Sequence, residues 1–265
     1  MTKPMKAKLK KTVLYGLLFM ASKWLITALL YYSGYWSYWF LLLFPVADTI
    51  AAITAILYLR NNFRGYFKKV LEASYPDSFK DIIKSIESEN DNLSDSIRFA
   101  LKSKNPLDKK LPFAAYFLAM IQVLETDKVG FDKIETLCLQ VAEAYAKPKN
   151  RIHKWYKLLL PKLMKSKLAE PFINRLHKKS KDLAHPEGFK AFFLKANAET
   201  LSFGYGFDVK DCGICKLFKK HQMERYTSIL CEVDKVTSGF SGMELIRAGT
   251  IANGAHQCDF RYQKT

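Results

Sequence analysis

The chain has 265 residues and a formal net charge of +17, with 42 lysines and arginines against 25 aspartates and glutamates. This length suffices to bury a core in one large or two modest domains, and the positive charge favours an anionic partner: a lipid surface, an anionic substrate or nucleic acid. The five cysteines argue against a disulfide framework, because their number is odd and four of them lie between residues 212 and 258. Reduced cytosolic thiols are the better interpretation.

Two long apolar stretches near the N-terminus predict a membrane-spanning helical hairpin, in a domain of residues 1–69. Residues 12–32 and 38–59 are 21 and 22 residues long, each about the length that a helix needs to cross the ~30 Å hydrocarbon layer. Basic residues precede the first stretch and follow the second, and the loop between them is uncharged. The positive-inside rule therefore predicts a two-pass membrane protein with both termini in the cytosol.

Each predicted span carries one ionisable residue. Lys23 and Asp48 reach similar depths in an antiparallel hairpin, and charges near the middle of a bilayer tend to pair because a lone charge there is costly. The pair can form within the hairpin or across a homo-oligomer. The alternative for the whole region is two buried helices of a soluble protein.

Residues 70–184 predict a helical, basic region. Apolar residues recur at helical spacing in "SFKDIIKSIESEN", "LPFAAYFLAMIQVLE" and "FDKIETLCLQVAEAYA", and Cys138 falls on an apolar face of the last as a core thiol. Residues 147–181 then hold twelve lysines or arginines and a single acid, Glu170. In a membrane-anchored protein we interpret this stretch as a face that rests on anionic lipid headgroups. A solvated helix face is the alternative, and we expect no nucleic acid.

Beyond "HPEG" the pattern changes to an α+β unit, residues 185–265. Partly alternating aromatic runs predict two strands, residues 189–196 and 200–207, that meet near "NAE". "DCGICKLFKKHQ", with Asp211 as its N-cap, and "ERYTSILCEVDKVTSGF" predict two helices. "MELIRAGTIA" and "AHQCDFRYQ" predict a second strand pair around "NGA". The expected fold class is therefore α+β, an antiparallel sheet of about four strands with two inserted helices.

Thiols and carboxylates concentrate in this unit. Cys212 is expected in the first turn of a helix, where the positive end of the helix dipole lowers the pKa of a thiol. Cys231 and Asp234 stand three positions apart on the second helix, so they face the same way. "CGIC" invites a redox or zinc interpretation, but its spacing from the other cysteines and histidines matches no standard zinc module. We therefore predict no metal and no other cofactor.

Strand alternation in "AHQCDFRYQ" distributes its side chains over two faces of the sheet. Cys258 and Phe260 share one face, and Asp259 and Arg261 share the other. If the inserted helices cover the first face, Cys258 is a site candidate and Arg261 is structural. If they cover the second, Asp259 and Arg261 belong to the site. An exposed ion pair of no function is the alternative for these two residues.

Residues 212–263 resemble the C-terminal half of the L-2-amino-thiazoline-4-carboxylic acid hydrolase family. The matching elements are, in order, the Cys212 opening, "LCEVD", "RAGTIANGA" and "CDFR". Many members have Cys-Pro where this chain has Cys212 and Gly213, and the predicted hairpin is not part of the family's core pattern. The resemblance implies a hydrolase that adds water across the C=N bond of a small, anionic, cyclic amidine-like substrate and opens it to an N-carbamoyl cysteine-like product.

This chemistry needs a nucleophile, an acid, and a cation for the substrate carboxylate. The nucleophile is either a thiolate or a water molecule that a carboxylate activates, and the residue types leave both routes open. The candidates for catalysis are Cys212, Cys231, Asp234, Cys258 and Asp259, and those for substrate binding are Arg247, Arg261 and His256, the last also as the acid. A non-catalytic, membrane-tethered ligand-binding or scaffold protein of the same fold is the alternative function.

Overall fold

A computed structural model describes residues 63–164, 169–194 and 205–264. All of these residues belong to one compact unit of the chain. The predicted membrane spans, with Lys23 and Asp48, lie outside the described residues. Of the helices within the described ranges, none is both long enough and apolar enough to cross a bilayer.

Six helices precede the sheet within the described ranges, and they confirm the predicted helical region. Their bounds are α1 (Arg64–Ser74), α2 (Phe79–Lys102), α3 (Leu111–Thr126), α4 (Phe131–Ala146), α5 (Arg151–Met164) and α6 (Glu170–Asp182). Ten residues of α3 are buried, on all sides of the helix, so α3 is the central helix of the core. Cys138 on α4 is fully buried, as expected of a core thiol.

In the part of the chain that the structure describes, four strands form one antiparallel sheet in the order β1-β2-β4-β3. Their bounds are β1 (Lys190–Leu194), β2 (Tyr205–Asp211), β3 (Met243–Ile246) and β4 (Cys258–Lys264). The helices α7 (Gly213–Lys220) and α8 (Thr227–Gly239) lie between β2 and β3 along the chain. The predicted α+β class, with about four strands and two inserted helices, is confirmed.

The end of β2 corrects one prediction. The strand does not stop at residue 207 but continues to Asp211, because Val209 alternates with Phe207 into the core and pairs with Cys258 of β4. Asp211 is therefore not the N-cap of α7. That position belongs to Cys212, whose backbone is extended (φ −101°, ψ 109°). Residues 195–204, with the predicted turn, lie outside the described residues.

The inserted helices cover the face of β4 that carries Cys258 and Phe260. Both side chains are buried, and the Phe260 ring stacks on Phe207 of β2 with 4.6 Å between the ring centroids. Above this face α7 packs against α3, and α8 packs against α4. The helical region and the sheet therefore share one hydrophobic core, which places the cavity described below at their junction.

Two buried polar side chains fasten the helical region to the start of β1. Asn105 Nδ2 donates a hydrogen bond to the carbonyl oxygen of Phe189 at 2.7 Å, and the Phe189 N–H donates to Asp108 Oδ1 at 2.9 Å. Gly188 is required here, because a Cβ atom at this position would lie 2.6 Å from Asp108 Oδ1. These contacts fix the turn Pro106–Lys110, whose last residue reaches the cavity.

Candidate active site

A cavity of about 40 Å³ lies between the sheet and the two inserted helices. Its polar wall consists of Cys212, Cys215, Cys231, Cys258, Asp234 and Lys110, and the remainder of the wall is apolar except for one threonine. Electrostatic interactions are stronger in such surroundings than in water. This volume is enough for a water molecule but far below the ~150 Å³ of an apolar cavity that binds benzene, so side chains must move aside to admit a ring.

Cys212 carries the features of a nucleophile. It occupies the N-cap of α7 and is half-buried in the cavity wall. The S–H of Cys215 donates a hydrogen bond to the Cys212 sulfur, and the backbone N–H groups of Cys215 and Ile214 do the same. These donors hold the pKa of Cys212 below its ordinary value, against burial and the charge of Asp234, which raise it. The structure thus makes this thiol easier to deprotonate than an ordinary cysteine.

The other three thiols of the cavity are held in the protonated form. The pKa of Cys215 is raised because its S–H donates to Cys212 and because it is buried. Burial raises the pKa of Cys231 to about 12 and also raises the pKa of Cys258. The Cys258 sulfur in addition accepts a hydrogen bond from the N–H of Ile251 at 3.2 Å. Of the four, only Cys212 combines exposure to the cavity with a lowered pKa.

Asp234 lies between two cations at the exposed end of the cavity. Its Oδ1 is 3.6 Å from Lys110 Nζ, and its Oδ2 is 4.0 Å from Arg247 Nη1. The Asp234 side chain is 29% exposed, which leaves it in reach of both solvent and cavity. Cys231, one turn earlier on α8, lines the same cavity. A carboxylate in this position can exchange protons with water and with a bound molecule.

Arg247 places a buried guanidinium beside Asp234. Its side chain is 3% exposed, its Nη2 donates to the carbonyl oxygen of Cys231 at 2.7 Å, and its Cζ lies 5.1 Å from the centre of the Phe260 ring. Among the described residues, Arg247 Nε and Nη1 find no hydrogen-bond partner. Unsatisfied buried donors of a cation are unfavourable, so Arg247 has donors to offer to a carboxylate. Its side chain is not part of the cavity wall described above but lines a second pocket of about 430 Å³.

Asp259 and Arg261 lie on the opposite face of β4 and line no part of this cavity. Asp259 accepts hydrogen bonds of 2.9–3.1 Å from the N–H groups of Ala248 and Gly249. Burial alone would raise the pKa of Asp259, but these donors outweigh it and hold that pKa below its ordinary value. Arg261 Nη2 pairs with Asp208 Oδ1 at 2.8 Å. The two residues brace β2, β4 and the "RAGTIANGA" loop.

The structure also separates His256 from the cavity and brings in a residue that the sequence analysis missed. His256 is exposed and is not part of the cavity wall. Lys110 was missed because it lies outside the motif-bearing C-terminal unit and is one of 42 lysines and arginines. Its position at the start of the central helix α3 gives no local signal of a function. Within the described ranges, no group of three histidine, cysteine or acidic side chains is arranged to hold a metal ion.

Comparison with known proteins identifies the family. Residues 111–262 match the family model of L-2-amino-thiazoline-4-carboxylic acid hydrolase. No curated protein and no solved structure gives a match. The matched range covers more than half of the chain and runs from the first residue of α3 through both inserted helices into β4. The chain therefore belongs to the L-2-amino-thiazoline-4-carboxylic acid hydrolase family.

Proposed function

We propose that the protein is a hydrolase that opens a small cyclic amidine-like ring bearing a carboxylate, with L-2-amino-thiazoline-4-carboxylate as the first substrate to test. One observation carries this proposal: Cys212, whose pKa is lowered, shares a cavity with Asp234, which lies beside the buried Arg247. These residues can serve as nucleophile, acid–base group and carboxylate clamp, the three groups that ring opening by water requires.

In the proposed reaction the Cys212 thiolate attacks the amidine carbon between the ring sulfur and the ring nitrogen. The electron pair of the C=N bond moves to the nitrogen, which takes a proton. The bond from this carbon to the ring sulfur then breaks, and the sulfur leaves with a proton. The product of this half-reaction is an isothiourea that joins Cys212 to the opened substrate.

Water completes the reaction by adding to the same carbon. The Cys212 thiolate is expelled, and the carbon keeps the water oxygen as the carbonyl of a carbamoyl group. In sum, one water molecule is consumed and a free thiol appears on the product. Asp234 exchanges the protons of these steps with solvent, since its side chain is 29% exposed.

A water molecule that Asp234 activates can attack the same carbon without a covalent intermediate. The two routes differ in the residue on which turnover depends. We expect Cys212→Ala and Asp234→Asn each to lower kcat/KM at least ~100-fold, measured by release of the product thiol. Cys231→Ala removes a neighbouring thiol that is protonated, and we expect it to have the smaller effect.

The outcomes separate the alternatives. Turnover that survives both Cys212→Ala and Cys231→Ala excludes the thiolate route and leaves water activation by Asp234. An isothiourea adduct on Cys212, detected by mass spectrometry after rapid quenching, supports the thiolate route. No turnover by the unmodified protein, on this or related cyclic amidines, overturns the proposal and favours a non-catalytic ligand-binding protein of the same fold.

Membrane attachment is a second part of the proposal. It is supported by the apolar stretches 12–32 and 38–59 and by the basic helices α5 and α6. Trp155 on α5 and Phe172 on α6 are 63% and 54% exposed, and aromatic side chains among basic residues are typical of helices that rest on anionic lipid. We expect a detergent-free extract to leave the protein in the membrane fraction. Recovery in the soluble fraction would overturn this part.

A further inference from the structure

Cys215 has no step in the proposed ring opening, yet its thiol is hydrogen-bonded to the proposed nucleophile. Cys212 is the N-cap of α7 and Cys215 follows three positions later, at the start of the helix. Residues three apart on a helix have Cβ atoms about 5–6 Å apart, whereas a disulfide needs its Cβ atoms about 3.5–4.5 Å apart. Cys212 precedes the helix in an extended backbone and lines the same cavity as Cys215, so the bond requires the N-cap residue to shift toward the helix by about 1–2 Å.

We propose that Cys212 and Cys215 form a reversible disulfide, so that this pair is an oxidation site which removes the nucleophile of the proposed hydrolase. A thiolate with a second thiol beside it, at the N-terminus of a helix, is the arrangement that makes Cys-x-x-Cys pairs redox-active. Both residues are half-buried in the cavity wall. The consequence for turnover rests on the proposed function, whereas the disulfide itself does not.

The oxidant that we name is hydrogen peroxide. The Cys212 thiolate attacks one peroxide oxygen, the O–O bond breaks, and the residue becomes a sulfenic acid while the other oxygen leaves as hydroxide and takes up a proton. The Cys215 sulfur then attacks the Cys212 sulfur, its proton passes to the departing hydroxyl, and water leaves. The two thiols lose two electrons, and the peroxide is reduced to two water molecules. A dithiol such as dithiothreitol reverses the bond by exchange.

The remaining cysteines are poor partners for Cys212. Cys258 is buried and its sulfur is held by the N–H of Ile251 at 3.2 Å. Cys138 is fully buried on α4 and lines no part of the cavity. Cys231 lines the cavity from α8, the other inserted helix, whereas the side-chain hydrogen bond to Cys212 comes from Cys215. The pair on α7 is therefore the expected product of oxidation.

The full-length protein allows a direct test, because trypsin releases residues 211–216 as one peptide that contains both cysteines and no others. The protein is treated with hydrogen peroxide, alkylated with iodoacetamide, digested and analysed by mass spectrometry. We expect this peptide to resist alkylation and to be two hydrogens lighter than its reduced form. Dithiothreitol added before alkylation should restore both alkylation sites.

Two variants serve as controls. Cys215→Ser cannot form the bond, so Cys212 should accumulate as sulfenic and then sulfinic acid, and dithiothreitol should not restore the sulfinic form. Cys231→Ala removes a thiol from the same cavity but should leave the protected peptide unchanged. A peptide that stays fully alkylated after oxidation, or Cys212 linked to Cys231 or Cys258, overturns the inference.

The mapping does not depend on turnover, so the two proposals fail in different ways. An unmodified protein that opens no cyclic amidine overturns the proposed hydrolysis, whereas the peptide masses still decide the disulfide. An active hydrolase whose 211–216 peptide shows no reversible protection overturns only the disulfide.

Discussion

Lys110 Nζ lies 3.6 Å from Oδ1 of Asp234, although Lys110 immediately precedes the family match and Asp234 lies in its last third. The contact joins the turn before α3 to the second inserted helix, α8. Both residues line the cavity, and the Lys110 side chain is 50% exposed. The helical region therefore contributes a cation to the candidate active site and does more than support the sheet.

Lys110→Met should weaken binding of an anionic substrate while leaving the fold intact. We expect a several-fold rise in KM for 2-amino-thiazoline-4-carboxylate and little change for 2-amino-thiazoline, which lacks the carboxylate. Because exposed ion pairs contribute only about 0–1 kcal/mol, the free energy of unfolding should change within that range. Lys133→Met, at an exposed position of α4, removes the same charge away from the cavity. An equal KM change in Lys133→Met would contradict a local role for Lys110.

Cys215→Ala should shift the pH dependence of turnover. The Cys215 S–H is the strongest influence that lowers the pKa of Cys212, and activity by the thiolate route rises as pH rises through that pKa. Without this donor the pKa of Cys212 rises, so the acidic limb of kcat/KM against pH should move to higher pH. Cys215→Ser keeps a donor and should restore part of the difference. A limb that stays in place in Cys215→Ala would exclude this positioning role.

Arg247→Lys should distinguish the contribution of the planar guanidinium to substrate binding from that of its positive charge alone. Lysine keeps one positive charge but cannot present two N–H groups in a fixed plane to a carboxylate. We expect a KM increase of about tenfold, which corresponds to ~1.4 kcal/mol, with a smaller change in kcat. Arg261→Lys is the matched control, because Arg261 pairs with Asp208 on the opposite face of the sheet. A KM that rises equally in both variants would indicate a general effect on the fold.

Local periodicity was sufficient to predict much of this fold. Helices α3 and α4 follow their apolar pattern closely, and both strand pairs were predicted because hydrophobic residues alternate. The sheet order was not predicted, because the pairing of β2 with β4 joins strands that two helices separate along the chain. The C-terminal part of β2 was not predicted because the strand was assigned from an aromatic run that ends at Phe207. The next core-facing residue is Val209, which is not aromatic.

The candidate site was predictable in part for the same reason. Alternation correctly separated Cys258 from Asp259, but it does not say which face the helices cover. The grouping of Cys212, Cys231 and Asp234 follows from their positions on two short helices that pack on one sheet face. Lys110 could not be predicted, because its contact depends on how α3 packs against the inserted helices and not on any pattern around it.

Gly188→Ala should destabilise the junction between the helical region and β1. A methyl group there would lie 2.6 Å from Asp108 Oδ1, which accepts the Phe189 N–H. Overpacking of this kind costs about 1–3 kcal/mol, measurable as a lower urea midpoint at unchanged slope. Gly239→Ala is the control, because a Cβ atom there meets nothing within 4 Å among the described residues. Equal losses in the two variants would contradict a specific role for Gly188.

Asp259→Asn should make the protein less stable at neutral pH and remove part of its acid sensitivity. The pKa of Asp259 is lowered in the folded protein by the N–H groups of Ala248 and Gly249, against the effect of burial. A carboxyl group whose pKa is lower in the folded state stabilises the fold above its unfolded pKa of ~3.9. That stabilisation is lost as pH falls through the pKa of Asp259 in the folded protein.

Urea unfolding from pH 7 downward should therefore show the free energies of unfolding of Asp259→Asn and the unmodified protein converging below about pH 4. The control is Asp91→Asn, at an exposed position of α2, which should follow the unmodified protein throughout. A constant difference between Asp259→Asn and the unmodified protein at every pH would show that the charge of Asp259 does not stabilise the "RAGTIANGA" loop.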